Sequence, residues 1–317
     1  MKILITGVYG FVGSNLVKAL SKDNIIYGLD IIDPIKDGVK FTFKWEDLDK
    51  EGMVPEIDAI IHLAGKAHDT KNQAAADVYF KVNRDLTIKI FDYFCAHPNI
   101  KKFVFFSTAK AAADKVDGIL TEDVVPSPVG PYGESKIAAE QYILNTMKSR
   151  PDEFKERGVY IFRPCMIHGP GNKGNLNLLY NVVKKGIPWP LGAFENRRTF
   201  TSVENICFAV NGVITKDVPS GIYNMGDDEA LSTNELIEEI CKSLGKNAHI
   251  WKLPKGLMNG VAKFGGWLHL PLNPERLRKL TENYVSSNAK IKAALGVEKM
   301  PVDARDGLKV TLESFSK

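Results

Sequence analysis

The first half of the chain alternates short apolar runs with longer helical patterns, and this alternation constrains the fold more than any other feature. The runs are rich in β-branched and aromatic residues, and most of them lack the polar positions of a strand with one solvent-facing side. Such strands belong in a sheet that helices cover on both faces, so the alternation predicts repeated βαβ units and a parallel sheet. The predicted strands are Lys2–Thr6, Ile25–Asp30, Ala59–Leu63, Phe103–Ser107 and Val159–Arg163.

Helical patterns separate these strands, and a different texture follows them. Residues 164–202 are rich in Gly, Pro and Asn, which is typical of loops that carry a binding site. Further on, Gly221–Met225 is predicted to be another strand. The predicted helices are Gly13–Ser21, Ala74–Ala96, Tyr132–Ser149, a helix opened by the capping box of Ser232 and Glu235 and running through Leu244, and Asn288–Leu295, ended by Gly296.

We therefore predict an α/β fold: a doubly wound parallel sheet of the Rossmann type with a smaller carboxy-terminal α/β lobe. In this prediction residues 1–163 form the nucleotide-binding lobe. Residues 164–317 form mainly the substrate-binding lobe, with room for a strand or helix that returns to the first lobe. A ligand is expected in the cleft between the lobes.

Composition and charge argue against several classes of protein. Of the 317 residues, 44% are hydrophobic and 25% are charged, as in soluble globular chains that bury a sizeable core. The net charge of +4 is spread along the chain without a basic tract, which argues against nucleic acid as a partner. The four cysteines stand far apart, as reduced thiols of a cytoplasmic protein do. Neither a membrane span nor a metal site is expected, and the uncharged run Ile3–Val17 is interpreted as a strand, turn and helix rather than a signal peptide.

A glycine-rich turn joins the first predicted strand to the first helix. Its sequence is Thr6-Gly7-Val8-Tyr9-Gly10-Phe11-Val12-Gly13, so the spacing is G-x-x-G-x-x-G rather than the general G-x-G-x-x-G. Glycines here permit a tight turn and let backbone N–H groups approach a pyrophosphate at the positive end of the helix. Asp30 ends the next strand, where a carboxylate accepts hydrogen bonds from an adenosine ribose and repels a 2′-phosphate. The pattern favours NAD over NADP.

A tyrosine and a lysine stand four residues apart at the start of a predicted helix. This spacing places Tyr132 and Lys136 on one face, a turn apart. A nearby ammonium lowers the cost of forming a phenolate, so Tyr132 can serve as a general acid or base. Thr108 follows the strand Phe103–Ser107, and ligands of open parallel sheets bind outside the carboxyl ends of the strands. The three side chains are candidates for one catalytic site.

Taken together, these motifs resemble an extended short-chain dehydrogenase/reductase of the NAD-dependent epimerase/dehydratase family, whose members act on nucleotide sugars. The matching segments run in the family's order from residue 1 to about residue 230. They are the glycine turn at residues 6–13, Asp30, Asp47-Leu48, His62-Leu63-Ala64-Gly65, Asn83, Ser107-Thr108, Tyr132 with Lys136, and Arg163-Pro164 followed by His168-Gly169-Pro170.

The resemblance implies a role for each matching position. Tyr132 would be the catalytic base, Lys136 would bind the nicotinamide ribose and tune Tyr132, and Thr108 would hydrogen-bond the sugar hydroxyl, with Ser107 as a less favoured substitute. Asn83 is similar to a residue that shapes the nicotinamide end; from the sequence alone it could equally be a capping or solvent-facing amide. The other cofactor positions implied are Gly7, Gly10, Phe11, Val12, Gly13, Asp30, Asp47, Leu48, Leu63, Ala64, Gly65, Lys66 and Pro164.

The substrate's diphosphate requires cationic and amide donors from the second lobe. Arg198 matches a family arginine that clamps the diphosphate, and a guanidinium holds phosphate oxygens in bidentate fashion. Asn175 resembles an amide that contacts the same group. Arg276 or Arg278 is a candidate second clamp, against the alternative of a plain helix-surface role for either.

The resemblance implies a nucleotide-sugar 4-epimerase that acts on a UDP-hexose or UDP-N-acetylhexosamine through a transient 4-keto sugar. In the family's dehydratases an Asp-Glu pair follows the catalytic Thr, whereas Ala109-Lys110 stands here, which argues against 4,6-dehydration. Ala112 and Ala113 stand where Tyr-Gly is typical of the epimerases, and this keeps a 4-ketoreductase of surface-polysaccharide sugar synthesis as the alternative. A non-catalytic dinucleotide sensor is less favoured because Tyr132 and Lys136 are both present. The resemblance also implies a homodimer formed by the Tyr132 helix and the helix before it.

Overall fold

The computed structural model describes residues 1–66, 75–172, 174–267 and 273–315. A parallel sheet of seven strands forms its centre, in the order β10-β7-β5-β4-β1-β2-β3. The strands are β1 (Lys2–Thr6), β2 (Ile25–Leu29), β3 (Val39–Phe43), β4 (Ala59–His62), β5 (Lys102–Phe106), β6 (Ile119–Leu120), β7 (Gly158–Pro164), β8 (Met166–His168), β9 (Arg198–Ser202), β10 (Gly221–Met225), β11 (Ala230–Leu231) and β12 (Val285–Ser286). The predicted doubly wound, Rossmann-type sheet is confirmed.

Helices cover both faces of this sheet. They are α1 (Phe11–Leu20), α2 (Ala76–Tyr79), α3 (Leu86–Ala96), α4 (Ala109–Ala112), α5 (Pro131–Ser149), α6 (Asn175–Lys184), α7 (Val203–Thr215), α8 (Thr233–Ser243), α9 (Lys255–Trp267), α10 (Pro274–Thr281), α11 (Ala289–Leu295) and α12 (Ala304–Ser314). A π-helical segment at Phe80–Asp85 connects α2 and α3 without leaving the helical conformation, so the helix predicted over Ala74–Ala96 is present with a π-helical middle. Its predicted first residue, Ala74, lies outside the described residues.

The two sheet faces are built from alternate residues of the same strands. Ile3 and Ile5 pack into a core with α1, α7 and α11, whereas Leu4 between them packs into a second core with α3 and α5. This is the period of two that a strand imposes on its side chains. Because all seven strands run parallel, their carboxyl ends meet along one edge of the sheet.

The second half of the chain contributes both to the central sheet and to a separate core. β10 (Gly221–Met225) pairs with β7 in the central sheet, in register from Gly221 opposite Tyr160 to Met225 opposite Pro164. A separate core surrounds the three-stranded sheet β11-β9-β8 and includes side chains of α6, α8, α9, α10 and α12. The capping box of Ser232 and Glu235 is present at the start of α8, and Gly296 ends α11 in the left-handed conformation, as predicted. Among the described residues, no helix has the length and apolar character that a membrane span requires.

Candidate active site

The glycine turn after β1 is packed so closely that larger residues do not fit. Gly7 has φ +67°, and a Cβ there would lie 2.9 Å from the backbone nitrogen of Ala64. A Cβ at Gly13 would lie 2.4 Å from the carbonyl oxygen of Gly7. Gly10 is the N-cap residue of α1 and has no side chain that could cover the helix end. The turn therefore presents bare backbone at a helix N-terminus, which fits the pyrophosphate of a dinucleotide.

Asp30 lies directly beside this turn. One oxygen of its carboxylate accepts a hydrogen bond from the backbone N–H of Tyr9 (3.3 Å), and the other accepts one from Ile31 (2.7 Å). The Tyr9 hydroxyl is hydrogen-bonded to Thr42 on β3, which fixes the turn against the sheet edge. Asp30 is half-buried, so the carboxylate is oriented yet accessible to a ribose diol. Phe11 and Val12 form the first turn of α1; Val12 packs against the core, and the Phe11 ring lies near Gly171.

The predicted adenine contacts at residues 47 and 48 have local roles. Asp47 closes a capping box by accepting from the Lys44 N–H (2.9 Å), and it pairs with the Lys50 ammonium (2.8 Å). The hydrogen bond from Lys50 lowers the pKa of the Asp47 carboxyl. Leu48 is buried in the core beneath β2 and β4. In this structure Asp47 stabilises the short helix after β3, and Leu48 is part of the hydrophobic core.

A buried histidine supports the loop that follows β4. His62 is hydrogen-bonded through Nδ1 to Thr6 (2.7 Å) and through Nε2 to Thr87 (2.9 Å). The Thr6 hydroxyl also accepts from the N–H groups of Leu63 and Ala64. Burial holds the pKa of His62 well below its usual value, so the ring is neutral. Within the described residues no three His, Cys, Asp or Glu side chains gather into a metal-binding group.

The amide of Asn83 connects this loop to helix α5. Its Oδ1 accepts from the Lys66 N–H (2.8 Å), and its Nδ2 donates to the Lys66 carbonyl (3.1 Å) and to the Ser135 hydroxyl (3.0 Å). Asn83 is fully buried within the π-helical segment, so it is neither a helix cap nor a solvent-facing amide. A Cβ at Gly65 would lie 2.9 Å from Asn83 Oδ1 and 3.1 Å from Lys136 Nζ. These contacts hold Gly65 and Lys66 at the carboxyl edge of the sheet, where the end of the Lys136 side chain lies.

Tyr132, Lys136 and Thr108 meet where β5 and α5 adjoin. The Thr108 hydroxyl hydrogen-bonds the phenol of Tyr132, and this bond opposes the effect of burial, which raises the pKa of Tyr132. The buried Lys136 ammonium donates to the Phe106 carbonyl at the end of β5 (2.8 Å). Burial lowers the pKa of Lys136 to about 8. Thr108 is thus a partner of the Tyr132 phenol, and Lys136 lies one helical turn further along α5.

A buried ion pair that the sequence did not suggest lies immediately behind these residues. Arg163 on β7 binds the Glu140 carboxylate of α5 through Nε (3.0 and 3.1 Å) and Nη2 (2.5 Å), and both side chains are at most 1% exposed. The Ser107 hydroxyl donates to the same carboxylate. Glu140 lies one turn after Lys136, and Ser107 precedes Thr108. With Ser107, the pair thus joins β7 to β5 and α5, the two elements that position the candidate catalytic side chains. The sequence signal that could have indicated this pair was Arg163, a charged residue in an otherwise apolar strand.

The candidate substrate residues do not all converge. Arg198, at the start of β9, is largely buried and donates to the Lys279 carbonyl; burial lowers its pKa. Arg278 binds the carboxylates of Asp114 and Glu282 (3.1 Å each). Pro164 is buried and is the last residue of β7. Asn175 and Arg276 are exposed at the first turns of α6 and α10.

Lys110, two residues after Thr108, belongs to the same polar group. Its ammonium donates to the Asp114 carbonyl (2.7 Å), pairs with the Asp114 carboxylate (3.2 Å) and lies 4.5 Å from the centre of the Tyr284 ring. Burial lowers the pKa of Lys110. Lys110, Arg198 and Arg278 carry three positive charges against the two carboxylates of Asp114 and Glu282, so this group suits an anion.

Comparisons with known proteins identify the family to which the chain is similar. Residues 3–226 match the model of the NAD dependent epimerase/dehydratase family. The chain is 30% identical over 267 residues to the UDP-glucose 4-epimerase of Vibrio cholerae, covering 80% of this chain and 78% of that protein. It is 25% identical over 268 residues to the dTDP-glucose 4,6-dehydratase of Streptomyces niveus, covering 77% and 78%.

Solved structures share the fold across the whole chain. The UDP-glucuronic acid 4-epimerase from Bacillus cereus, crystallised with NAD, superposes with a TM-score of 0.75 at 22% identity, covering 100% of this chain and 99% of that one. The glycine turn and Asp30 fit the same cofactor by their packing and charge. The chain is thus an NAD-dependent enzyme that belongs to the NAD dependent epimerase/dehydratase family.

Proposed function

We propose that this enzyme is a nucleotide-sugar 4-epimerase that acts on a UDP-hexose or UDP-N-acetylhexosamine through a transient 4-keto sugar. The observation that carries the proposal is the hydrogen bond between the Thr108 hydroxyl and the Tyr132 phenol, at the sheet edge where the glycine turn also lies. The 30% identical relative is named a UDP-glucose 4-epimerase. Oxidation and reduction at one carbon require one proton-transferring group and one orienting hydroxyl, and this pair provides both.

The proposed roles follow from the contacts. Tyr132 takes the proton of the C4 hydroxyl and returns it after the sugar has turned, while Thr108 holds the C4 oxygen in place. NAD, when bound, supplies reversible hydride chemistry at C4. Lys136, anchored on the Phe106 carbonyl, places a positive charge one turn from Tyr132 and a donor near the cofactor ribose. Net, no atom is gained or lost, and the configuration at C4 is inverted.

The surroundings of Thr108 support epimerisation over 4,6-dehydration. Elimination of water requires an additional acid and base beside the sugar. The next two residues are Ala109 and Lys110, and the nearest carboxylate in contact with Lys110, that of Asp114, is neutralised by Lys110 and Arg278. The positive excess of this group supports the binding of the substrate's diphosphate, with Arg198 and Arg278 as the proposed donors.

A 4-ketoreductase is the second candidate, and one observation favours it. Ala112 and Ala113 are buried against Tyr284, whose hydroxyl donates to the Ala113 carbonyl (2.8 Å), in the place where the epimerases of the resemblance have Tyr-Gly. A reductase must exchange its cofactor in every turnover, whereas an epimerase keeps it.

Cofactor retention therefore separates the two functions. Freshly purified protein is denatured, the released NAD is measured, and native protein is incubated with UDP-glucose and UDP-N-acetylglucosamine without added cofactor. The proposal predicts near-stoichiometric NAD and formation of the C4 epimer. Absence of NAD with turnover only of a 4-keto sugar plus reduced cofactor indicates the reductase, and formation of a 4-keto-6-deoxy sugar indicates a dehydratase; either result contradicts the proposal.

We also propose that two copies associate through α3 and α5. Within one chain these helices are already joined by the Tyr142 hydroxyl, which donates to Asp92 (2.6 Å). Half-buried apolar side chains, Leu144 and Met147, lie on the same helix. Sedimentation velocity that shows only monomers at micromolar concentration contradicts this arrangement.

A further inference from the structure

Helix α9 carries an apolar stripe on its solvent-facing side. Leu257, Val261 and Phe264 follow a spacing of four and three residues, and Trp267 continues the stripe at the helix end. Their exposed fractions run from 45% at Val261 to 75% at Trp267. The opposite face of the helix packs into the core of the second lobe through Met258 and Ala262. The helix is therefore already anchored on one side, and its stripe is a second apolar face.

The stripe lies in a stretch of the chain that contains lysines but no carboxylates. Residues 240–274 contain five lysines and no Asp or Glu. Lys242 approaches Glu239, and Lys246 donates to the Lys184 carbonyl. The other three, Lys252, Lys255 and Lys263, form no ion pair with any described residue, and all three are exposed. Trp251 beside them is 54% exposed.

We propose that the surface formed by Trp251, Lys252, Lys255, Lys263 and the α9 stripe docks this enzyme on an anionic phospholipid bilayer. An interfacial helix inserts large apolar side chains at the boundary of headgroups and acyl chains while lysines at its flanks meet lipid phosphates. Tryptophan and phenylalanine are well suited to that boundary. Charge complementarity favours a negative bilayer over a protein partner, because three exposed lysines lie beside the stripe. The first carboxylate that follows it, that of Glu275, is paired with Lys279. This inference goes beyond the proposed function and does not rest on it.

Vesicle flotation with the full chain tests the proposal. The vesicles contain either phosphatidylcholine alone or phosphatidylcholine with phosphatidylglycerol. Binding to the anionic vesicles, weakened by high salt, is expected, with little binding to the neutral ones. Lys252→Glu with Lys263→Glu should lower the partition coefficient at least about twentyfold, since each lysine contributes about fivefold. Phe264→Ser with Trp267→Ser should lower it about tenfold or more.

A matched control is Phe41→Ser, which removes an exposed aromatic side chain from the edge strand β3 and should leave vesicle binding unchanged. The thermal unfolding midpoint and NAD binding of each variant establish that it is folded. Absence of binding to anionic vesicles overturns the proposal, as does binding that the α9 variants leave intact. If sedimentation shows instead that Phe264→Ser with Trp267→Ser splits a dimer, a second copy of the chain covers the stripe and the bilayer proposal is wrong.

Discussion

Breaking the buried Glu140–Arg163 pair is expected to be the most damaging single change behind the catalytic residues. Glu140→Gln keeps the size of the side chain but leaves the Arg163 guanidinium, at most 1% exposed, without a countercharge. Arg163 Nη1 already lacks a hydrogen-bond partner within the described structure, so no second acceptor compensates. The removal of one partner from a buried pair costs about 3–5 kcal/mol, and we expect this cost for Glu140→Gln and for Arg163→Met.

The double variant distinguishes a coupled pair from two independent residues. Replacing both charges removes the uncompensated ion, so the double variant should cost no more free energy of unfolding than either single variant. Urea denaturation followed by circular dichroism measures all four proteins. The exposed pair Lys155–Asp152 is the control, and Asp152→Asn should cost less than about 1 kcal/mol. A cost for Glu140→Gln as small as that of the control, or simple addition of the two single costs, refutes the reasoning.

Two further predictions concern the glycine turn and the buried lysine Lys136. Gly13→Ala places a Cβ 2.4 Å from the Gly7 carbonyl oxygen and should abolish NAD binding, measured by calorimetry. The control is Gly260→Ala, which has open space around it and should leave NAD binding unchanged. Equal affinities for NAD in the two variants would be incompatible with the packed turn. The pKa of Lys136 is about 8 in the folded protein and 10.5 in the unfolded chain, so the folded state binds fewer protons between these pH values. The free energy of unfolding should therefore rise by about 3 kcal/mol as the pH increases from 8 to 10.5. Lys136→Met should lose that rise, and identical pH profiles for the two proteins would show that the ammonium is not buried as described.

The sequence sufficed for the elements whose pattern is local. The apolar strands were located to within about a residue at each end, because a strand covered on both faces must be apolar throughout. β3 was missed although V-K-F-T-F alternates as a strand does, because the pattern covers only five residues and follows a run of loop residues. β9 was missed because Arg198–Ser202 is polar and lies in a segment rich in Gly, Pro and Asn. Both strands are stabilised by neighbours distant in sequence, which periodicity cannot reveal.

The site residues divide in the same way. Glycines, Asp30, Thr108, Tyr132 and Lys136 follow strands or begin helices, so knowledge of the parallel sheet is enough to place them at one edge. The Glu140–Arg163–Ser107 contacts join three elements, and no local pattern specifies which buried carboxylate meets which guanidinium. For the same reason Arg278, rather than Arg276, is found in the polar group with Asp114.

Tyr132→Phe removes the hydroxyl that is proposed to transfer the proton at the sugar carbon that is oxidised or reduced. Single-turnover rates and NAD affinity are measured for Tyr132→Phe and for Tyr142→Phe, a control on the same helix whose hydroxyl meets Asp92. The account predicts a rate lower by about 10²–10⁴-fold for Tyr132→Phe, with NAD affinity almost unchanged, and a normal rate for Tyr142→Phe. A rate for Tyr132→Phe within a few-fold of the unmodified enzyme would contradict it.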